Sequence, residues 1–344
     1  MTRRPGLSLT EVLVALFIMA LGTISILTMF PLGALQMGQA LKDDRTSQAA
    51  AAADAYMRWY WKERVVEGGG SGEPFVTTMF TPPNGMNMPP ATGDAPSYPV
   101  LIDPMGSYAR GAPNPSWVGD GGFGNVAASS QTGLARASLL LIGSPPHALR
   151  TCSLLDGFTY DPNSGLPAAS GGAGIDREMR YNWLWVVQCP KASDPRTANM
   201  SVVVFDKRAH MYAPTGSETV FTPNYAVGNA NDTRVSFPAN AYPKVQKGGW
   251  LLDATVTTLD STRNTVFVPP DGAAGSLGGI RNAHFYRVVS VTENPVTVSV
   301  DIELQKPLTD SGDPGNNVPL SPMYRRFVVM PGLAEVFERP PLTK

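Results

Sequence analysis

Between Glu11 and Lys42 the chain carries no charged residue. Val12 to Phe30, the front of that run, is built mainly from Leu, Val, Ile, Met, Phe and Ala. About 20 apolar residues are enough for a helix to cross the hydrocarbon core of a bilayer. Such a stretch does not belong on the surface of a water-soluble domain, so it divides the chain into an apolar helix and a body that follows it. Arg3 and Arg4 precede the run, and basic residues stay on the cytoplasmic side. The body is therefore expected on the far side. One acid, Glu11, stands at the entrance. A carboxylate at the bilayer margin costs roughly 2.5–3.5 kcal/mol on insertion scales, so it calls for a partner or a task.

Several fates are open to such a segment. A secretory signal is cut after a small-x-small site, of which Gly38-Gln39-Ala40 is a weak example. The Arg3-Arg4 pair hints at a twin-arginine signal. An uncleaved anchor is a third. The run is longer than the core of an ordinary signal, about 7–15 residues.

A fourth alternative accounts for more of the residues. RRPGLSLTEVLVALFIMALG, Arg3 to Gly22, resembles the N-terminus of type IV pilins and type II secretion pseudopilins, the minor subunits more than the major ones. In that family a short basic leader ends in Gly, a dedicated peptidase cuts after it, and the fifth mature residue is Glu. The resemblance makes residues 1–6 the leader, places the cut between Gly6 and Leu7, and makes Leu7 the site of N-methylation. It gives Glu11 the fifth place, where it would pair with the new amine of a neighbouring subunit and set the register of assembly. Opposite charges attract strongly in a low dielectric, and desolvation takes back part of that gain. The implied partners are other pilin-like subunits, the prepilin peptidase, an inner-membrane assembly platform and membrane lipid. The implied location is the inner membrane, single-pass, with the N-terminus cytoplasmic and the head periplasmic, followed by a periplasmic or cell-surface filament. The family usually has Phe where Leu7 stands, and its helix proline comes slightly earlier than Pro31.

Pro31 removes a backbone donor and predicts a kink or local melting. Ala34 and Gly38 form a small-xxx-small pair that would admit another helix. Beyond Leu41 the helix turns amphipathic: Ala49, Ala53, Tyr56, Met57 and Tyr60 recur at three- and four-residue spacing. Gly68, Gly69 and Gly70 end it. The expected organisation is a helix over 7–67, with 7–35 in the membrane or filament core. A Gly/Pro-rich segment over 68–135 follows, expected as a partly ordered insertion with short strands near Tyr98–Ile102 or as a mobile surface loop. The β-rich head covers 136–344, as one sheet domain or as two sub-units near 136–237 and 238–344.

Within the head, Asn182–Cys189 and Met200–Phe205 predict an antiparallel pair. The run Leu139–Ile142 is apolar but too short to assign, and further strands are predicted over Gly249–Val256, Asn264–Val268, His284–Val291, Val296–Leu304 and Arg326–Val329. In VTVSVDIEL the alternation puts Val296, Val298, Val300, Ile302 and Leu304 on one face. The fold class is α+β: a long N-terminal helix packed on an antiparallel sheet with loop-rich insertions.

The chemistry is sparse. With 27 basic and 28 acidic residues the net charge is −1, which speaks against a nucleic-acid partner. No nucleophile elbow, Walker loop, HExxH or dinucleotide fingerprint occurs, so no enzyme and no cofactor is expected. Cys152 and Cys189 are a disulfide if the head is exported, or two buried thiols. TDSGDPGNN, Thr309–Asn317, places Asp310 and Asp313 in a segment that could carry calcium in the manner of some pseudopilins. A polar hairpin turn is favoured, because EF-hand spacing and its closing Glu are missing. The functional expectation is a non-enzymatic filament subunit. The alternative is a membrane-anchored or secreted β-rich binding protein or adhesin that does not polymerise.

Overall fold

The computed structural model describes residues 9–69, 73–80, 93, 96–103, 135–137, 139, 151–154, 169–170, 174–175, 180–207, 219–221, 223, 225–226, 233–253, 256–259, 265–267, 279–281, 283–296, 298–308 and 327–343. They fall into two compact units, Met1–Ser47 and Gln48–Lys344.

Helix α1 spans Leu9–Tyr60 and contains Pro31. It runs through the proline without interruption, so the local melting expected there does not occur. Proline removes one helical hydrogen bond, and good helix formers such as Leu32, Ala34 and Leu35 keep the turns on either side closed. In the second unit the expected face is the buried one: Ala49, Ala53, Met57 and Tyr60 are covered, together with Ala50 beside them, and Tyr56 is half-covered. Past Tyr60 the helix widens into a π-helical turn, Trp61–Glu67. The extra residue per turn brings Trp61 and Val65 to the buried side. The turn closes with the Gly68 N–H donating to the Glu63 carbonyl at 3.0 Å. A Cβ at Gly68 would lie 2.7 Å from the Arg64 carbonyl oxygen, so only glycine fits there. A short helix, α2, Pro74–Phe80, was not legible in the Gly/Pro-rich insertion.

Seventeen strands follow in the described residues. They are β1 Val100–Ile102, β2 Ala135–Ala137, β3 Ala169–Ser170, β4 Gly174–Ile175, β5 Tyr181–Gln188, β6 Ala198–Asp206, β7 Thr219–Phe221, β8 Tyr225–Ala226 and β9 Arg234–Pro238. Then come β10 Trp250–Asp253, β11 Val256–Leu259, β12 Thr265–Phe267, β13 Gly279–Arg281, β14 His284–Asn294, β15 Ser299–Leu304, β16 Phe327–Val329 and β17 Leu333–Leu342. The five-stranded sheet has the order β17-β6-β5-β1-β2, and the seven-stranded sheet β7-β16-β10-β14-β15-β9-β8. A three-stranded sheet, β12-β11-β13, and the hairpin β3-β4 complete the set. All pairings are antiparallel except β1 with β2.

Strand β5 is the axis of the second unit. Alternate side chains point to opposite faces of a strand, and here both faces are covered. Tyr181, Trp183, Trp185 and Val187 pack with Ala53, Met57 and Tyr60 of α1. Leu184 and Val186, with Val203 and Phe205 of β6, pack against Leu252 of β10 and Val328 of β16. The far side of the second sheet has its own core of Val235, Phe237, Tyr286, Val300, Ile302 and Phe327. The order of layers is helix, five-stranded sheet, seven-stranded sheet, second core.

Of the two alternatives for the head, one domain or two, the strand pairing accords with one domain. Strand β9 pairs with β15, β17 returns to pair with β6, and residues 48–344 form one unit. One expectation needs correction: the clean alternation of VTVSVDIEL overstates the strand. Val300, Ile302 and Leu304 are buried as expected, but Val296 and Val298 are 89% and 68% exposed. They lie in the turn before β15, where Val298 takes φ +50°, a conformation that breaks an extended run.

Candidate functional site

The first unit is defined by what its helix leaves uncovered. From Leu9 to Leu41, eighteen large apolar side chains are exposed, among them Phe17, Ile18, Leu27 and Phe30. Covering such side chains is worth roughly 1.5–3 kcal/mol each, so the segment as a whole is unfavourable in water by tens of kcal/mol. At about 1.5 Å per residue these turns exceed the roughly 30 Å of a bilayer core. The helix is long and apolar enough to cross a membrane, and none of its most apolar window is buried.

The polar groups inside this segment are arranged for an apolar surrounding. The hydroxyls of Thr23, Ser25 and Thr28 each donate back to a carbonyl of the preceding turn, those of Ala20, Leu21 and Ser25, at 2.9 Å. Internal bonding removes the need for water at these positions. No atom lies within 4 Å of a Cβ built at Gly22, Gly33 or Gly38, so the Ala34–Gly38 surface is open at its glycine end. Glu11 lies in the first turn of α1 and is exposed. The helix dipole favours an acid there, a local advantage that adds to any assembly role.

Gly6, Leu7, Asp310 and Asp313 lie outside the described residues, so the cleavage site and the calcium segment receive no geometry. Cys152 and Cys189 are two separate buried thiols, not a bonded pair. The Trp183 backbone N–H donates to the Cys152 carbonyl at 3.0 Å, whereas Cys189 lies six residues further on, just past the end of β5. At about 3.3 Å per residue that is roughly 20 Å, far beyond the roughly 4.4–6.8 Å that a disulfide spans between Cα atoms. Burial pushes the Cys189 thiol up to about 12, opposed by a hydrogen bond with Ser97 and aided by the Asp194 charge.

Sequence reasoning missed the polar contacts that fix α1 to its sheet. The Tyr60 hydroxyl donates to Glu73 Oε2 at 2.8 Å, inside the core. The Arg58 guanidinium bridges Asp54, one turn earlier, and the carbonyls of Pro340 and Pro341, at 2.7 Å from the former. Tyr56 stacks on Trp185 with ring centroids 5.9 Å apart. Burial, with Cys152 and Glu73 nearby, raises its hydroxyl to about 12. Among the described residues no group of three or more His, Cys, Asp or Glu side chains gathers that could hold a metal ion.

No protein-family model, curated protein or solved structure matches the chain. The physical features above therefore carry the functional conclusion on their own: an apolar, self-satisfied helix with one acid in its first turn, and a β-rich unit whose central strand is covered on both faces.

Proposed function

We propose that this chain is a pilin-like or pseudopilin subunit of a type IV pilus or type II secretion-type filament, assembled from the inner membrane after cleavage between Gly6 and Leu7. The observation that carries this proposal is the bare apolar surface of Leu9–Leu41, continued within the same helix by residues buried on a sheet. A segment of this kind is satisfied equally by lipid and by like helices. That allows a subunit to wait in the membrane and then move into a filament. Glu11 gives the segment one charged group, which the amine of Leu7 in a neighbouring subunit would meet once the leader is removed. The head carries no catalytic role in this proposal.

Intact-mass analysis and N-terminal sequencing of the protein from its native membrane test it. The expected start is Leu7, bearing an added methyl group. A start at Met1 would make the chain a plain anchored binding protein, and a start near Leu41 a secreted one. Either result overturns the proposal.

A further inference from the structure

A cleft of about 460 Å³ is lined by residues of β10 and β14 in the seven-stranded sheet and of β6 and β17 in the five-stranded sheet. Its apolar wall is Trp250, Phe285 and Val336. Its charged rim is Arg287, Lys306 and Glu338. The Arg287 guanidinium lies 5.8 Å from the Trp250 ring centroid and 3.9 Å from a Glu335 oxygen. Lys306 Nζ lies 2.8 Å from Glu338 Oε1. The Lys306–Glu338 pair is largely exposed, so Lys306 exchanges one carboxylate for another at little cost; in the other pair Arg287 is about half exposed and Glu335 half-buried.

We propose that this cleft binds an organic acid with an aromatic or branched apolar body, its carboxylate held by Lys306 and Arg287 and its body laid against Trp250, Phe285 and Val336. The volume sets the size, since it suits one or two amino-acid side chains and not an extended polymer. The chemistry of the rim sets the ligand's charge: Lys306 and Arg287 each already hold a carboxylate, Glu338 and Glu335, so a ligand carboxylate makes the same contact in their place, and the Arg287 guanidinium is also positioned over the Trp250 ring. The Trp250 indole N–H is buried with no hydrogen-bond partner, and a buried donor without an acceptor is unfavourable. His284 also lines the cleft; desolvation, with the Lys306 charge, lowers its pKa from the usual value against the pull of Asp253 and Glu338. The same chemistry is offered by a free small acid and by the C-terminal residue of a protein chain. This proposal does not depend on filament assembly.

The test uses the full-length protein in a non-ionic detergent, with 4-fluorophenylacetate as the probe and its fluorine resonance as the signal. Saturable binding to wild type is expected. Binding should weaken about tenfold or more, a loss of about 1.4 kcal/mol, in Lys306→Glu, which alters only an exposed side chain, and in Val336→Trp, which fills the cleft. The alcohol of the same body, 2-(4-fluorophenyl)ethanol, is expected to bind at least about tenfold more weakly than the acid. N-acetyl-glycyl-phenylalanine as a competitor separates the two sources: tighter binding than the probe assigns the site to a chain end, equal or weaker binding to a free acid. Equal affinity of the probe for wild type and Lys306→Glu, equal affinity for acid and alcohol, or no saturable binding overturns the proposal.

Discussion

The indole N–H of Trp185, in the middle of the central strand, donates to the backbone carbonyl of Ala53 in α1 at 3.0 Å. That single bond joins the two elements on which the second unit is built. Ala53 is completely buried, which allows the indole to reach the helix backbone without a side chain in the way. Trp185→Phe should cost about 1–2 kcal/mol, because it leaves a buried carbonyl short of one donor. Trp185→Ala should cost about 3–5 kcal/mol, because it also opens a cavity. Urea unfolding of the detergent-solubilised protein, followed by circular dichroism, measures both. Equal midpoints for wild type and Trp185→Ala would show that the helix does not rest on this strand.

Tyr60 and Glu73 form a buried pair at 2.8 Å. Removing the hydroxyl leaves a covered carboxylate with one fewer donor, which is costlier than losing a neutral hydrogen bond. Tyr60→Phe is expected to lower stability by about 1.5–3 kcal/mol. Glu73→Gln, which keeps an acceptor for the hydroxyl, should cost less than that. Thermal melting of the two variants side by side gives the order, and the reverse order would rule out the pair as the source.

Cys189 titrates at about 12 because burial disfavours its thiolate. In the unfolded chain a thiol titrates near 8.5, so the folded state binds the proton more tightly. The stability from this group is fully present below about pH 8.5 and is lost as pH rises through about 12. At pH 8 the folded protein should resist iodoacetamide at both Cys152 and Cys189, and both should react once urea unfolds it. Reducing agent should change neither the labelling nor the mobility on a denaturing gel.

Glu11 is the one charge in an otherwise uncharged helix segment, so its replacement separates insertion from assembly. Glu11→Leu should reach the membrane fraction as well as wild type or better. It should be recovered in cross-linked multimers at least about tenfold less, equivalent to about 1.4 kcal/mol of lost pairing. Equal multimer yields would rule out a register role.

What could be read ahead of the structure follows from where the physical signal is local. The helix was legible because an uncharged run and a three-and-four spacing of Ala49, Ala53, Met57 and Tyr60 need no knowledge of partners. The β5–β6 pair was legible for the same reason, two β-rich runs joined by a short polar loop. Strand β17 was not, because Pro340 and Pro341 argue against a strand. They are tolerated because β17 is an edge strand, and Arg58 binds the two proline carbonyls. The Tyr60–Glu73 contact and the Trp250 cleft were invisible because their parts lie on elements whose meeting no spacing rule describes. The separation of Cys152 from Cys189 required the strand register itself.

The place of Leu333–Leu342 imposes an order on the birth of the head. This ribbon borders Ala198–Asp206, yet every strand of the other sheet is synthesised between the two. Until it emerges, Ala198–Asp206 offers a naked hydrogen-bonding margin, an invitation to illicit pairing with another chain. A nonsense codon between residues 207 and 333 would therefore yield a sticky product, and a chaperone that shields that margin during synthesis would be selected for.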